Sequence, residues 1–345
     1  VTLQDRELKY IEPALRRAGE LFSKKLRGPG EADAAKDRLR ADVEGEGVAH
    51  ADVVIEAIFE DREAKQNLYR QLEPKMQPGA LLATNTSSIP LQELAPCLQQ
   101  PARLVGLHFF NPVAKLPLVE VVSAPDSAED STATALAFTR QIGKLPLPCR
   151  SRPGFLVNRI LGPYMAEAME LLRDGHAAAA IDQAAVDFGM PMGPVELADS
   201  VGLDVARHVA AVLEPVIGRS AAPELLAKVE AGQLGRKTGS GFYSYKDGKP
   251  VRDRVAPDSA APELQERLIL SLLNEAANCL ADELVADADL VDAGAIFGTG
   301  FAPFRGGPLN YARSRGVDNV VASLEQLAAQ HGERFRPSAG WARLA

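Results

Sequence analysis

Residues 104–122 read LVGLHFFNPVAKLPLVEVV, two apolar runs on either side of an Asn-Pro turn. Both runs are rich in residues that favour β-structure, so the pattern predicts two strands joined by a short connection. Each run carries one ionisable residue, His108 in the first and Glu120 in the second. Because a buried carboxylate needs a hydrogen-bonding partner, the sequence predicts that Glu120 pairs with His108 across the turn.

The predicted pair has a catalytic and a purely structural interpretation. A carboxylate that holds one ring nitrogen of His108 fixes the tautomer and leaves the other nitrogen free to exchange a proton with a substrate. Alternatively, His108 is a core histidine with satisfied hydrogen bonds, and Glu120 lies on the polar side of an edge strand. The spacing of the two residues leaves both interpretations open.

The composition limits the class of protein. The 345 residues are 46% hydrophobic and 24% charged, and the formal net charge is -8. These values are typical of a globular protein long enough for two or three domains, and the negative charge argues against nucleic acid as a partner. The three cysteines lie far apart, which indicates a reducing compartment and no metal site. We expect a cytoplasmic protein, because the sequence shows neither a membrane-spanning run nor a signal peptide.

The first 150 residues alternate between strand and helix patterns. Strand patterns occur at 1–5, 51–58, 81–85 and 105–109, helical patterns at 6–26 and 62–76, and a loop pattern at 28–36. This alternation predicts a parallel sheet covered by helices, in which ligands bind beyond the carboxyl ends of the strands. The residues at these ends are Asp5, Glu60, the run Asn85–Ser88 and His108.

Two of these strand ends suit a dinucleotide, although each has a second explanation. An acid after the second strand of such a unit binds the adenosine ribose of NAD, and Asp5 is so placed; an acid before a helix is also a common N-cap. The hydroxyls of residues 85–88 serve either a ligand or their own turn. A Gly-x-Gly-x-x-Gly turn, which would hold the pyrophosphate, does not occur in the sequence, so we expect the first βα unit to be missing.

Beyond residue 150 the sequence is helical and partly repeated. Helices are predicted at 155–173, 177–188 and 194–214, and a linker at 246–262. The motifs around Asp182, Phe188 and Gly202 recur in looser form around Asp292, Phe297 and Gly316. The repeat predicts a duplicated helical domain in which each copy completes the core of the other. The predicted domains are therefore 1–150, 151–250 and 251–345.

Several motifs in this order resemble a known enzyme family. HFFNP at 108–112, LVEVV at 118–122, NTSS at 85–88, PGFLVNR at 153–159 and MGP at 192–194 are similar to signature stretches of the L-3-hydroxyacyl-CoA dehydrogenases. The repeated tail, with FAPFRGG at 301–307, resembles the carboxyl half of multifunctional fatty-acid oxidation α subunits, which also carry an enoyl-CoA hydratase domain.

The resemblance implies both a fold and an activity. The fold is an α/β Rossmann-like NAD-binding domain, here without its first βα unit, followed by two all-α domains. The activity is the NAD-dependent oxidation of L-3-hydroxyacyl-CoA to 3-oxoacyl-CoA in fatty-acid β-oxidation. The partners are an acyl-CoA substrate and, in the multifunctional forms, a thiolase subunit, while the oligomeric state stays open.

The resemblance also implies roles for individual residues. His108 matches the catalytic base that takes the proton of the 3-hydroxyl, and Glu120 matches the carboxylate that orients it. Ser87 matches a serine near nicotinamide and substrate, and Asn158 matches a residue that holds the acyl oxygen. The other matches are the NAD contacts Asp5, Glu60, Lys65, Asn111 and Lys237, the substrate contact Tyr311, and Lys24 and Lys25 as candidates for the CoA phosphates.

Two functions of different classes follow from these observations. In the first, the chain is the dehydrogenase region of a β-oxidation enzyme. In the second, it is a non-catalytic scaffold that has lost the pyrophosphate turn and serves in assembly, for example with a thiolase subunit. The joint presence of His108, Glu120, Ser87 and Asn158 favours the first. Related hydride-transfer families that act on sugar acids would need a catalytic lysine where this chain has His108.

Overall fold

The structure, a computed structural model, describes residues 1–252 and 261–344 and begins with an α/β half. Its seven strands are β1 Thr2–Gln4, β2 Arg40–Asp42, β3 Val53–Glu56, β4 Leu81–Thr84, β5 Leu104–Phe109, β6 Leu118–Ser123 and β7 Leu145–Arg150. Its helices are α1 Leu8–Lys25, α2 Glu31–Asp37, α3 Arg62–Leu72, α4 Leu91–Leu94 and α5 Glu129–Gln141. This half is Rossmann-like, with helices between most of its strands.

The strands of this half form two separate sheets. One has the order β3-β4-β5-β6-β7, and the other consists of β1 and β2, which are parallel. Among the described residues, no strand pairs with the outer edge of β3 or with the second edge of β1. Strands β5 and β6 are antiparallel, so the sheet is mixed and not wholly parallel as predicted. The reason is that residues 110–117 are too few for the helical crossover that parallel neighbours require.

The second half is helical. Its first set of helices is α6 Val157–Arg173, α7 Ala178–Phe188, α8 Pro194–Val201, α9 Leu203–Ile217 and α10 Pro223–Glu230, followed by the hairpin of β8 Ser244–Lys246 and β9 Lys249–Val251. The second set is α11 Ala261–Ala281, α12 Ala288–Thr299, α13 Pro308–Arg315 and α14 Val317–His331. Within the described parts of the chain, no helix is both long and apolar enough to cross a membrane.

Several predicted boundaries in both halves were wrong. The loop expected at 28–36 contains α2, in which alanines favour the helix and the carboxylate of Glu31 accepts a hydrogen bond from the Gly28 amide. The single helix expected at 194–214 is two helices, because Gly202 has a φ of 108° that no helix accommodates. Of the linker expected at 246–262, the first residues belong to the β8–β9 hairpin, and residues 253–260 lie outside the described residues.

Buried ion pairs join the two helical sets in a reciprocal way. Each of the packed helices α6 and α11 carries an arginine, a glutamate and an aspartate in the same order, the last just beyond the end of the helix. In each case the arginine Nε donates to the glutamate Oε1 of the other set at 2.7 Å. The groups are Arg159 with Glu275 and Asp282, and Arg267 with Glu167 and Asp174.

A second correspondence lies at the start of the eight-residue helices α8 and α13. Asp182, in α7, accepts hydrogen bonds from two backbone amides in the first turn of α8, at 2.8 and 3.0 Å. Asp292, in α12, binds two amides of α13 in the same way, at 2.7 and 3.0 Å. A side chain at Gly193 or Gly307 would overlap the aspartate concerned, so glycine is required at both positions.

The second helical set also packs against the start of α6. A methyl group at Gly298 of α12 would overlap Val157 and Leu118, and one at Gly294 would overlap Leu156. The absence of a side chain at these glycines therefore lets α12 approach the end of α6 that faces the sheet. One continuous buried core includes Leu118, Leu156 and Val157 together with residues of both helical sets.

Candidate active site

His108 and Glu120 face each other in the hairpin of β5 and β6. The strand register places them directly opposite, and the predicted hydrogen bond is present, with 2.7 Å between His108 Nδ1 and Glu120 Oε2. The His108 side chain keeps 8% of its surface accessible and that of Glu120 keeps none, so only the imidazole can meet a ligand. A carboxylate accepts and does not donate, so Nδ1 carries a hydrogen, and in the neutral imidazole Nε2 then has a free lone pair.

The other oxygen of Glu120 binds the start of α6. Oε1 accepts hydrogen bonds from the amides of Leu156 and Val157, both at 2.9 Å. A helix N-terminus stabilises a negative charge, and these amides therefore compensate for the burial of the carboxylate. The alternative that Glu120 lies on the polar side of an edge strand is wrong, because β6 lies between β5 and β7 and the residue is fully buried.

Ser87 and Asn158 are brought together beside this pair. Ser87 lies in the turn of residues 85–88 after β4, and its carbonyl oxygen accepts a hydrogen bond from Asn158 Nδ2 at 3.2 Å. Asn85 Oδ1 accepts a hydrogen bond from the amide of Phe109, next to His108 in β5, at 3.1 Å. Since Asn158 follows Val157 in α6, these contacts link all four proposed catalytic residues, and both Ser87 and Asn158 are half-buried.

Glu60, after β3, organises the 85–88 turn. Its Oε1 accepts hydrogen bonds from the hydroxyls of Thr86 at 2.6 Å and Ser88 at 2.8 Å, and from the amides of Ser87 and Ser88. Burial alone would raise the pKa of Glu60, but the hydroxyls of Thr86 and Ser88 and the charge of Lys65 outweigh it and hold the pKa below its usual value. The turn therefore relies on Glu60 for several of its polar groups, and it satisfies others itself, since Thr86 Oγ1 accepts hydrogen bonds from the amides of Ser88 and Ile89.

Lys65 does not reach the open side of this site. Its side chain is fully buried, with Nζ 2.7 Å from Glu56 Oε1 and 3.4 Å from Glu60 Oε2. An enclosed ammonium cannot touch a ligand, so the predicted direct contact between Lys65 and NAD is not present in this arrangement. Glu56 was missed in the sequence, although it is an acid within the apolar run 51–58. It also accepts hydrogen bonds from the hydroxyls of Tyr69 and Thr84, both at 2.7 Å.

Asp5 and Asn111 leave their polar ends exposed. Asp5 follows β1 directly, and its Oδ1 accepts a hydrogen bond from the neighbouring Arg6 amide at 2.7 Å. The N-cap of α1 is Glu7, so the alternative that Asp5 caps this helix is wrong. Asn111 lies in the exposed connection between β5 and β6. Both side chains are therefore accessible to a ligand.

Lys237 and Tyr311 lie in other contacts. Lys237 forms an ion pair with Asp204 at the start of α9. Tyr311, in α13, packs edge-on against the Phe188 ring at 5.1 Å, and the Arg305 guanidinium lies 4.9 Å from its centroid. Among the described residues neither side chain hydrogen-bonds with the residues around His108, so the roles of Lys237 and Tyr311 at the site stay predictions.

The residues present fit the ribose and nicotinamide ends of NAD. The carboxyl ends of β1, β3 and β4 carry Asp5, Glu60 and Ser87, which are two acceptors for sugar hydroxyls and one hydroxyl donor. His108 lies at the end of the neighbouring β5. The arrangement places the acid–base pair beside the proposed cofactor groups, as transfer of a hydride and a proton from one carbon–oxygen unit requires.

Comparisons with known proteins agree with this geometry. Residues 1–152 match the family model described as the 3-hydroxyacyl-CoA dehydrogenase, NAD binding domain, and residues 154–245 match that of the C-terminal domain. The fatty acid oxidation complex subunit alpha of Shewanella amazonensis is 39% identical over 357 aligned positions, gaps included. The alignment covers 98% of this chain and 51% of that protein. The chain thus spans about half the length of the curated relatives it matches.

Solved structures give the same result. The crystal structure of 3-hydroxybutyryl-CoA dehydrogenase from Escherichia coli K12 has a TM-score of 0.87 at 25% identity and covers 99% of this chain and 92% of its own. That of (S)-3-hydroxybutyryl-CoA dehydrogenase from Ralstonia eutropha has a TM-score of 0.67 at 31% identity and covers 72% of this chain and 90% of its own. The protein therefore belongs to the 3-hydroxyacyl-CoA dehydrogenase family of NAD-dependent oxidoreductases.

Proposed function

We propose that this chain is the dehydrogenase region of a fatty-acid oxidation enzyme and that it oxidises L-3-hydroxyacyl-CoA to 3-oxoacyl-CoA. The observation that carries the proposal is the double contact of Glu120, which binds His108 with one oxygen and the start of α6 with the other. Asn158 follows in that same helix and meets Ser87. An assembly scaffold has no need for a buried, oriented imidazole of this kind, so the catalytic function explains the group better.

In this mechanism His108 is the general base. Its Nε2 takes the proton of the substrate 3-hydroxyl while the hydride leaves C3, and the oxygen keeps the electron pair that becomes the carbonyl bond. Bound NAD supplies the hydride acceptor. Glu120 holds Nδ1 at 2.7 Å and stabilises the imidazolium that forms. The two residues would together contribute a factor of roughly 10² to 10⁴ to turnover.

Asn158 and Ser87 orient the substrate in this proposal. The Asn158 amide has two hydrogens, and one of them binds the Ser87 carbonyl. The second is available to the acyl oxygen of the thioester. The Ser87 hydroxyl makes only a long contact of 3.4 Å with Glu60 Oε1, so it can turn towards a ligand between nicotinamide and substrate.

The cofactor contacts are proposed along the strand ends. Asp5 takes the adenosine ribose, Glu60 and Asn111 take groups nearer the nicotinamide, and Lys237 approaches from the helical half. Lys65 acts through Glu60, whose charge it stabilises. We further propose that one βα unit, with the pyrophosphate-binding turn, fits between the outer edges of β1 and β3, because both edges lack a strand partner among the described residues.

The helical half is proposed to be a duplicated domain, with copies at 151–250 and 251–345. The reciprocal ion pairs of α6 and α11 and the matching aspartate caps support this division. Tyr311 would then contact the substrate from the second copy. Lys24 lines a groove of about 740 Å³ between α1 and α2 together with Arg16, Lys36 and the acidic Glu20, and the excess of basic residues supports a contact with the CoA phosphates. Lys25 lies on a neighbouring groove.

The partners of the whole protein are proposed from the names of its relatives. A fatty acid oxidation complex implies further subunits, so we propose a thiolase subunit as partner and a hydratase domain in the same polypeptide. The proposed function is tested by titrating NADH calorimetrically into this chain and into one extended at its amino terminus. NADH-dependent reduction of acetoacetyl-CoA is then followed by absorbance. We expect NADH binding and reduction of acetoacetyl-CoA in the extended chain. If the extended chain neither binds NADH nor reduces acetoacetyl-CoA, the scaffold function is favoured.

A further inference from the structure

His208 makes a hydrogen-bond contact between the helical half and the turn that carries Ser87. Its Nε2 lies 3.2 Å from the hydroxyl oxygen of Ser88, which is 120 residues earlier in the chain. His208 projects from α9, whereas Ser88 is nearly fully buried in the turn after β4. The contact therefore spans the boundary between the cofactor side and the substrate side of the proposed site.

The direction of this hydrogen bond follows from the partners of Ser88. The Ser88 hydroxyl has one hydrogen, and it points to Glu60 Oε1 at 2.8 Å. Glu60 is an acceptor there, since the hydroxyls of Thr86 and Ser88 and the charge of Lys65 hold its pKa below the usual value in spite of burial. The Ser88 oxygen has only lone pairs left for His208, so the imidazole must donate from Nε2.

The two helices α6 and α9 thus hold the same turn from two sides. Asn158 of α6 donates to the Ser87 carbonyl at 3.2 Å, and His208 of α9 donates to the neighbouring Ser88 hydroxyl. Glu60, which follows β3, holds the turn through four hydrogen bonds of 2.6 to 3.0 Å. Because both helices contact the turn, the position of Ser87 depends on how closely α9 lies against it.

We propose that His208 is a positioning residue, which holds α9 against the 85–88 turn through Ser88 and thereby fixes Ser87 for catalysis. The proposal rests on the proposed dehydrogenase function for its kinetic consequence. The geometric part, the stabilisation of the turn by His208, is independent of any turnover. His208 itself touches neither of the residues of the acid–base pair, so its effect on the reaction is indirect.

The kinetic test compares His208→Ala with His208→Gln in the catalytically active, extended protein. Loss of the donor should lower kcat by about tenfold, because a reacting group misplaced by a fraction of an ångström loses much of its orientation. The KM for NADH should change less than about twofold, since Glu60 and Asp5 are unaltered. Glutamine carries an amide donor that reaches about as far as the imidazole Nε2, so His208→Gln should restore kcat to within about threefold.

A matched control is His176→Ala, the same substitution in the same half of the protein. His176 follows the far end of α6, a helix of 17 residues, and lies about 25 Å along it from the Glu120 contact. This variant should keep normal kcat and KM. If His208→Gln is as slow as His208→Ala, or if KM rises while kcat stays normal, a donor at this position does not position Ser87 and the proposal is wrong.

Hydrogen exchange separates this proposal from the proposed function. In the present chain, the amides of Ser87 and Ser88 bind Glu60, and their exchange reports how often the turn opens. His208→Ala should speed exchange at these two amides several-fold, and His208→Gln should not. Equal exchange in all three proteins overturns the role of His208 even if the enzyme is active. Faster exchange without any dehydrogenase activity would instead reject the proposed function and retain the contact.

Discussion

Glu120 lies directly opposite His108 in the register of β5 and β6, and the same carboxylate binds the first amides of α6. One fully buried side chain therefore fixes the tautomer of the imidazole and the place where the helical half meets the sheet. Asn158, the substrate contact proposed on α6, is therefore held in a constant position relative to His108, the proposed base. Preorganisation of this kind lowers the cost of orienting groups during the reaction.

Replacement of His108 by glutamine should remove most of the turnover. Glutamine has similar size and polarity but cannot accept the hydroxyl proton, so kcat should fall by roughly 10² to 10⁴. NADH binding should stay within about threefold of the wild type, because the proposed cofactor contacts Asp5, Glu60 and Ser87 follow other strands. Calorimetry with NADH and steady-state kinetics of the extended protein measure both values, and ordinary turnover in His108→Gln would contradict the assignment.

Replacement of Glu120 by glutamine should lower both turnover and stability. An amide has one accepting oxygen, whereas Glu120 accepts hydrogen bonds at both of its oxygens. If the NH₂ group faces the α6 amides, buried donors are left unpaired at about 1 to 3 kcal/mol. If it faces His108, it donates to Nδ1, and the imidazole hydrogen moves to Nε2, which then cannot act as the base. Kinetics and thermal unfolding should show a lower kcat and a lower Tm. Unchanged kinetics with a lower Tm would give Glu120 a packing role alone.

The reciprocal ion pairs should differ in strength. Arg159→Ala leaves the buried Glu275 with only the longer side-chain contacts from Asn278 and the Cys279 thiol among the described residues, and should lower the free energy of unfolding by about 3 to 5 kcal/mol. Arg267→Ala should cost less, since Glu167 also binds Arg334 at 2.8 Å.

Urea unfolding measures both substitutions in the ion pairs. A control is Arg173→Ala, an exposed arginine paired with Glu170, which should cost less than about 1 kcal/mol. Equal losses for Arg159→Ala and Arg267→Ala would mean that the extra arginine does not compensate for the missing one.

The aspartate caps predict how stability depends on pH. Burial raises the pKa of both Asp182 and Asp292 to about 6, although each accepts helix amides. The ordinary pKa is 3.8, so between roughly pH 7 and pH 4 these two carboxyls bind more protons in the folded protein than in the unfolded chain, and their contribution to stability rises as the pH falls. Each carboxyl should add about 1 kcal/mol to the free energy of unfolding between pH 7.5 and pH 5.

This pH effect is measured against the double variant Asp182→Asn, Asp292→Asn. Asparagine does not titrate, so the variant should lack the gain of about 2 kcal/mol that the two carboxyls provide on acidification. Urea unfolding at the two pH values gives the difference between wild type and variant. A difference that is the same at both pH values would show that the two aspartates keep ordinary pKa values in the folded protein.

The sequence predicted the centre of the site because both members of the pair interrupt apolar strands. A short connection between two such strands leaves few possible neighbours for His108, and Glu120 was one of them. The same reasoning applied to Glu56, within the run 51–58, would have predicted a buried partner for this acid; that partner is Lys65, which was instead assigned to the cofactor. The sequence shows the acid in the strand and the lysine in the next helix. Only the packing of α3 against β3 decides whether the Lys65 side chain is buried beside Glu56 or exposed to a ligand.

Contacts between distant parts of the chain were not predictable in this way. Nothing in the sequence around His208 indicates that it meets Ser88, because the contact depends on how α9 lies against the sheet. Strands β2 and β7 also gave little signal, since β2 has three residues and β7 contains two prolines. Periodicity reports local structure, and these features arise only from the packing of separate elements.

The two glycines of α12 have a consequence for how the enzyme can be divided. Because Gly294 and Gly298 let α12 lie against Leu156 and Val157, the last ninety or so residues form the wall behind the amides that anchor Glu120. A fragment that ended before α11 would keep nearly every side chain proposed for the chemistry. It would nevertheless expose Leu156 and Val157, whose amides bind Glu120. We therefore expect that removal of the second helical set would destabilise the contact between Glu120 and α6.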